Sequence, residues 1–256
     1  MIIAVDIGNT NIVLGCAENN EIIFRERIAT NQTATDLEYA VKIRAALEMN
    51  GVNIASVDGA IISSVVPSVT GTVKAAIVKL TGVDVMVVGP GIRTGLSIMI
   101  DNPAQLGSDL AVVAVAGIAE YKTPLILIDM GTATTLSVID SNNNYIGGAI
   151  MTGTAVSTDA LISRTAQLPK IAFEKPKKVI GSNTIDCLKS GIMFSNAAAI
   201  DGMIERIEDE LGEQCTVVAT GGLSGVIIPL CKRKDIILDD AILLKGLMLI
   251  YNKNKR

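Results

Sequence analysis

Apolar residues open the chain in a run that an acid, a glycine and three small polar residues then break: IIAVDIGNTN, Ile2 to Asn11. Short β-branched runs bounded by turn formers predict strands, and the first 28 residues hold three of them: IIAVDIG, NIVLGCAE and EIIFRERI. Their connections are short and polar, which favours consecutive antiparallel pairing. Thr35 followed by Glu38 is a capping box, predicting a helix through Leu47 with Leu37, Val41, Arg44 and Leu47 at helical spacing. GAIISSVVP, Gly59 to Pro67, reads as a strand ending in a turn. Ser68 to Leu80 reads as a helix and VDVMVVG as a strand. After a Gly/Pro-rich link, Asn102 and Pro103 open a polar turn and a helix to about Tyr121.

The second half repeats the plan. LILIDMG, TTLSVID and YIGGAIM are β segments, with the turn SNNN between the last two. Helices are expected over residues 154–167 and 184–211, then the strand TVVATGG and a last helix from about Ala241 to Tyr251. Strands alternating with helices define the α/β class. The halves read as a duplication with its seam near residues 116–124, so the expected domains are 1–117 and 118–256.

Composition narrows the chemistry. Half the residues are hydrophobic (49%) but only 3% are aromatic, so the core must be Ile, Val, Leu and Ala. With 256 residues the chain can bury one large or two modest cores. The net charge is -4, with no basic patch interleaved with aromatics, so nucleic acid is not an expected partner. The tail KNKR reads as a solvated end. The longest apolar segment, LAVVAVAGIA, falls short of the roughly 20 residues that span a bilayer. No basic n-region precedes the first apolar run, and Asp6 comes too early for a signal peptide. The reading is a soluble, cytoplasmic chain without a membrane partner. Cys16, Cys187, Cys215 and Cys231 are scattered without a CxxC pair, as reduced thiols are. There is no histidine, which excludes Ser-His-Asp, Cys-His and His-metal schemes. Catalysis must use carboxylates, hydroxyls, backbone dipoles or bound ions.

Two strands end in Asp-x-Gly. Asp6-Ile7-Gly8 is followed by Asn9, Thr10 and Asn11; Asp129-Met130-Gly131 is followed by Thr132, Thr134 and Thr135. A glycine there lets the backbone turn tightly and aim its amides at an anion. An acid beside phosphate-binding amides requires a cation. One such turn is explained by a local Asx bond; two at matching places point to a nucleotide held by related half-sites. Thr220-Gly221-Gly222 can admit a flat base or ribose against the backbone. VVGPGIRTG departs from the dinucleotide fingerprint, since its third glycine is one residue late and Pro90 interrupts it, and no GxxxxGK[ST] occurs. Leu106-Gly107-Ser108-Asp109 opens an apolar helix. The helix dipole alone would favour Asp109, and a carboxylate there can also take the proton of an attacking alcohol. Gly181-Ser182-Asn183-Thr184 reads as a glycine turn in which Thr184 caps the next helix.

DIGNTN, SSVVP, NPAQLGSD, DMGTATT, GGAIMTG, RTAQLPK, GSNT and TGG stand in the order seen in type III pantothenate kinases, and the resemblance covers essentially the whole chain. It implies the actin/hexokinase/Hsp70-like ATPase fold: duplicated actin-like (ribonuclease H-like) ATPase domains with mixed sheets flanked by helices. It also implies ATP-dependent phosphorylation of pantothenate to 4'-phosphopantothenate, the first step of coenzyme A synthesis. Family members act as homodimers and use Mg2+ and a monovalent cation, K+ or NH4+. By motif, the resemblance makes Asp6, Ile7, Gly8, Asn9, Thr10, Asn11, Ile12 and Val13 the first phosphate loop, with Asp6 holding magnesium through water. It makes Asp129 the potassium ligand and Thr132, Gly221 and Gly222 nucleotide contacts. Ile100, Gly107, Ser108, Asp109 and Leu110 match the pantothenate site, Asp109 the proton acceptor, and Thr184 a substrate contact across the dimer interface.

Four positions depart from the family pattern. Leu110 stands where family members carry an arginine that pairs with substrate, and Ile100 where a pocket tyrosine is common. Ser137 replaces an aspartate and Thr152 a proline. The nucleotide half is nearly intact and the acceptor half altered. The alternatives are therefore a paralogue acting on another alcohol, a phosphohydrolase, or a non-catalytic nucleotide-binding transcriptional accessory factor. Retention of Asp6, Asp109 and Asp129 favours chemistry.

Overall fold

The computed structural model describes residues 1–18 and 21–255; Arg256, the end of the expected solvated tail, lies outside them. The first half runs β1 (Ile2–Ile7), β2 (Asn11–Glu18), β3 (Glu21–Ala29), α1 (Asp36–Met49), β4 (Gly59–Ser64), α2 (Pro67–Thr81), β5 (Val85–Val87), β6 (Ser97–Ile98) and α3 (Ser108–Glu120). The second runs β7 (Leu125–Met130), β8 (Ala133–Ile139), β9 (Asn144–Thr152), α4 (Thr154–Ser163), α5 (Thr184–Leu211), β10 (Thr216–Thr220), α6 (Ser224–Ile227), β11 (Ile237–Leu238) and α7 (Ile242–Asn254).

The two sheets share one topology. The first is ordered β3-β2-β1-β4-β5, with β1, β2 and β3 antiparallel in sequence and β4 and β5 parallel to β1. The second is β11-β10-β7-β8-β9-β6, the same plan with β6 added parallel to β9. The duplicated α/β architecture with mixed sheets is thus present strand for strand.

Thr35 opens α1 as its spacing predicts: the Glu38 carboxylate accepts the Thr35 amide at 2.7 Å and Thr35 Oγ1 accepts the Glu38 amide at 3.3 Å. The buried face is not the expected one. Leu37 and Val41 are 59% and 60% exposed, whereas Tyr39, Ala40, Ile43 and Leu47 enter the core beside β1 and α2. Both stripes have helical spacing, and only the sheet decides between them. The helix expected over 154–167 ends at Ser163, and Asn183 rather than Thr184 caps α5, its side chain accepting the Asp186 amide at 2.9 Å.

The chain divides into two compact units: 1–96, 101–119 and 241–256 in one, 97–100 and 120–240 in the other. This differs from the expected single cut after residue 117. Leu244, Leu247 and Ile250 of α7 bury against Ala4, Ile61 and Val112 of the first unit. Each such side chain contributes about 1.5–3 kcal/mol when removed from water, a contact that local periodicity cannot assign. The approach is close. A Cβ at Gly246 would sit 2.1 Å from the Val112 carbonyl oxygen. Gly246→Ala is therefore expected to destabilise the fold by about 1–3 kcal/mol through overpacking, read as a lower midpoint in urea unfolding.

Candidate active site

In the first unit, β1 delivers Asp6 to the end of the sheet, in register with Val13 on β2 and Ser63 on β4. The chain then turns sharply. The Gly8 amide donates to the Asn11 carbonyl at 3.0 Å, and a Cβ at Gly8 would stand 3.0 Å from that oxygen. Thr30 braces the turn: its hydroxyl donates to the Gly8 carbonyl at 2.7 Å and its amide to the Thr10 carbonyl at 3.0 Å. Asn9, Thr10 and Asn11 are exposed. Ile7 and Ile12 point into the core, so only their backbone can face a ligand, and Val13 is half-buried.

Asp109 belongs to the same unit. Ser108 ties the start of α3 to the end of β4: its hydroxyl donates to the Ser64 carbonyl at 3.0 Å, accepts the Ser64 amide at 3.2 Å and lies 3.1 Å from the Ser63 hydroxyl. Ser63 is the register partner of Asp6, so Asp6, Ser63, Ser108 and Asp109 form one connected end of the sheet. The hydroxyl of Ser108, an expected substrate contact, is engaged in this anchor. Burial pushes the Asp109 carboxyl above its usual range, against the lowering effect of the Leu110 amide, which donates to Oδ1 at 2.9 Å. Gly107 leaves room for the carboxylate, since a Cβ there would come within 2.5 Å of Oδ1. Leu110 is half-buried on the same first turn. A raised, anchored carboxylate is suited to accept a proton.

In the second unit, Asp129 is in register with Thr135 on β8 and Thr220 on β10. Gly221 follows Thr220 with φ of +100°, a conformation that side chains resist. A Cβ there would lie 2.7 Å from Asp129 Oδ1 and 2.5 Å from the Met130 nitrogen, so the TGG turn covers Asp129 with bare backbone. Thr132 and Gly222 are exposed. Gly153, at the start of α4, packs on the same turn; its Cβ would meet the Thr132 carbonyl at 2.1 Å. Ile100 is half-buried and belongs to this unit, as does exposed Thr184.

Sequence reasoning missed Ser63, Ser64 and Gly153 as parts of the site. The pair of serines after an apolar strand carried a signal, but it reads equally as a turn. Gly153 ends the motif GGAIMTG, but its need for a close approach to Thr132 shows only in the fold.

Among the described residues no cluster of three or more Asp, Glu, Cys or His side chains could hold an ion. Any cation among these residues would meet at most two such side chains, with neutral oxygens, water or phosphates completing its shell. Magnesium characteristically binds through one or two carboxylates plus phosphates, which fits Asp6 beside the Gly8–Asn11 turn. Two surface clefts of about 470 and 710 Å³ lie elsewhere. Pro124 and Thr216 line the smaller, at the opposite ends of β7 and β10 from Asp129.

Among solved structures, the chain superposes on a Baf family transcriptional activator from Campylobacter jejuni with a TM-score of 0.58 at 17% identity, covering 98% of each chain. It matches the activator of 2-hydroxyisocaproyl-CoA dehydratase from Clostridium difficile, solved with ADPNP, with a TM-score of 0.58 at 15% identity, covering 98% of this chain and 93% of that one. These likenesses show the fold alone: the class is that of α/β proteins built from two duplicated mixed sheets flanked by helices. A family model for type III pantothenate kinase matches residues 2–206. The type III pantothenate kinase of Halalkalibacterium halodurans is 41% identical over 254 residues, 99% of this chain and 100% of that one. That of an Exiguobacterium species is 42% identical over 256 residues, the full length of both. The chain belongs to the type III pantothenate kinase family.

Proposed function

We propose that this chain transfers the γ-phosphoryl group of ATP to the primary hydroxyl of pantothenate, giving 4'-phosphopantothenate and ADP. The observation that carries the reading is the half-buried Asp109, its carboxyl raised by desolvation, which follows Ser108, the residue tied to the strand that flanks Asp6. Asp109 takes the proton of the attacking hydroxyl as the new P–O bond forms and the bond to ADP breaks.

In the first unit, Asp6 would hold Mg2+ through water and the turn from Gly8 to Val13 would meet phosphate. In the second, Asp129 would hold K+ or NH4+, and Thr132, Gly221 and Gly222 would border the nucleotide. Bound cations supply charge neutralisation of the phosphates. Ile100, Gly107 and Leu110 are assigned to pantothenate, and Thr184 reaches it from the partner of a homodimer. Support for self-association is the exposed apolar set of the second unit, including Ile150, Ile180 and Ile185. Cytoplasmic residence agrees with four free thiols, and among the described residues no helix is long and apolar enough to cross a membrane.

A second reading keeps the phosphoryl transfer and changes the acceptor. Leu110 favours it, since leucine neither hydrogen-bonds nor carries charge. Purified protein with ATP, Mg2+ and K+ is expected to yield 4'-phosphopantothenate by mass spectrometry. Turnover of ATP on another alcohol, with none on pantothenate, would select the second reading; bound ATP without turnover on any acceptor would reject both.

A further inference from the structure

The duplicated half-sites both carry a hydroxyl on one side of the aspartate but differ in polarity on the other. Asp6 stands between Val13 and Ser63; Asp129 stands between Thr135 and Thr220. Residues paired directly across neighbouring strands share a face of the sheet. On the hairpin side the second half therefore puts the Thr135 hydroxyl beside its aspartate where the first half has the methyl groups of Val13. That hydroxyl, Thr135 Oγ1, is buried and has no hydrogen-bond partner among the described residues.

A buried hydroxyl without a partner is destabilising, and native structures rarely keep one without a reason. Valine would remove the cost, and valine is what the matching position of the first half carries. The local geometry supplies a reason to keep the oxygen. Thr135 faces the same strand position as Asp129, and the bare backbone of Gly221 closes on that carboxylate.

We propose that Thr135 Oγ1 is a cation ligand, completing with Asp129 a site for a monovalent cation of the potassium class. The proposal rests on the reading of Asp129 as the cation-side carboxylate. The charge balance favours a single positive charge. One carboxylate with neutral hydroxyl and carbonyl oxygens compensates it, whereas sites for tightly held Ca2+ gather several carboxylates, and no such cluster occurs among the described residues. A threonine hydroxyl offers lone pairs to the ion and keeps its proton, so the site needs no ionisation of Thr135.

Thermal unfolding of the full chain over a KCl titration tests this, at constant ionic strength with tetramethylammonium chloride as filler. Runs with and without a non-hydrolysable ATP analogue would compare the unaltered chain with Thr135→Val, Thr135→Ser, Thr135→Ala and Asp129→Asn. The unaltered chain is expected to gain Tm with potassium. Thr135→Val should start from a higher Tm in potassium-free buffer, yet need at least about tenfold more potassium for half its gain, as befits loss of an interaction with a charged group. Thr135→Ser keeps the oxygen and should keep the response; Asp129→Asn should lose it. A merely structural threonine would not move the two readouts in opposite directions. Should the valine variant misfold, the alanine variant reads the same potassium shift. An unchanged potassium midpoint in both oxygen-free variants, beside a responsive unaltered chain, overturns the ligand role alone and leaves a buried water as the partner. A flat response of the unaltered chain, with and without nucleotide, overturns the cation reading of Asp129 and this inference together.

Discussion

Asp109→Asn is expected to lower kcat by about 10²–10⁴-fold, the span typical of removing a general base, while making the folded chain more stable at neutral pH. Asparagine keeps the shape of the side chain and an oxygen to accept the Leu110 amide, but cannot take the substrate proton. The stability effect follows from the raised pKa of the half-buried carboxyl. In the unfolded chain an aspartate titrates near about 3.9. Below that pH the carboxyl is neutral in both states and burial is unopposed. As pH rises through the higher folded pKa, the folded state must ionise a partly desolvated group and that stability is lost. The asparagine variant is spared this loss. Its advantage in urea unfolding should be present at pH 7.5 and shrink as the pH falls below the carboxylate range. An advantage equal at both pH values would show that charge burial is not its cause. Retained kcat would remove Asp109 from the mechanism.

Leu110→Arg is expected to raise kcat/KM for pantothenate about ten- to hundredfold, the worth of one charge-assisted hydrogen bond of about 1.5–3 kcal/mol. The family arginine pairs with substrate at this position, and leucine provides no such bond. The position is one residue from the general base, and its amide already binds Asp109 Oδ1. A guanidinium there would also favour the ionised carboxylate, so the acidic limb of the rate profile should move to lower pH. Steady-state kinetics across pH reads both effects. A lowered limb with unchanged KM for pantothenate would mean that the arginine reached Asp109 but that this pocket does not accept pantothenate, which would support the other-acceptor reading.

Much of the local structure around the candidate site was legible in the sequence, because it is written locally. Asp6 and Asp129 each end an apolar strand just before a glycine, and the strands pair as the polar connections between them require. Asp109 precedes an apolar helix and lies in its first turn. What stayed illegible depends on contacts between distant segments. The bonds of the Ser108 hydroxyl to Ser63 and Ser64, more than forty residues earlier, could not be read from the sequence. Thr184 looked like a cap, and its neighbour Asn183 holds that place, since either residue carries an oxygen that can accept an amide.

The amino-acid order by itself determined the strand and helix series, the twofold repeat of Asp-x-Gly turns, the exclusion of histidine chemistry and the three aspartates of the proposed site. Periodicity, turn residues and side-chain chemistry are local properties, and the chain carries them wherever it folds. Only the tertiary structure decided which stripe of α1 is buried, that α7 joins the first unit, that Asp109 is raised by burial, and that Thr135 keeps a buried hydroxyl beside Asp129. Each of these is set by what lies across a sheet or against a helix, and the solvent and neighbours of a side chain are fixed by segments far away in the chain.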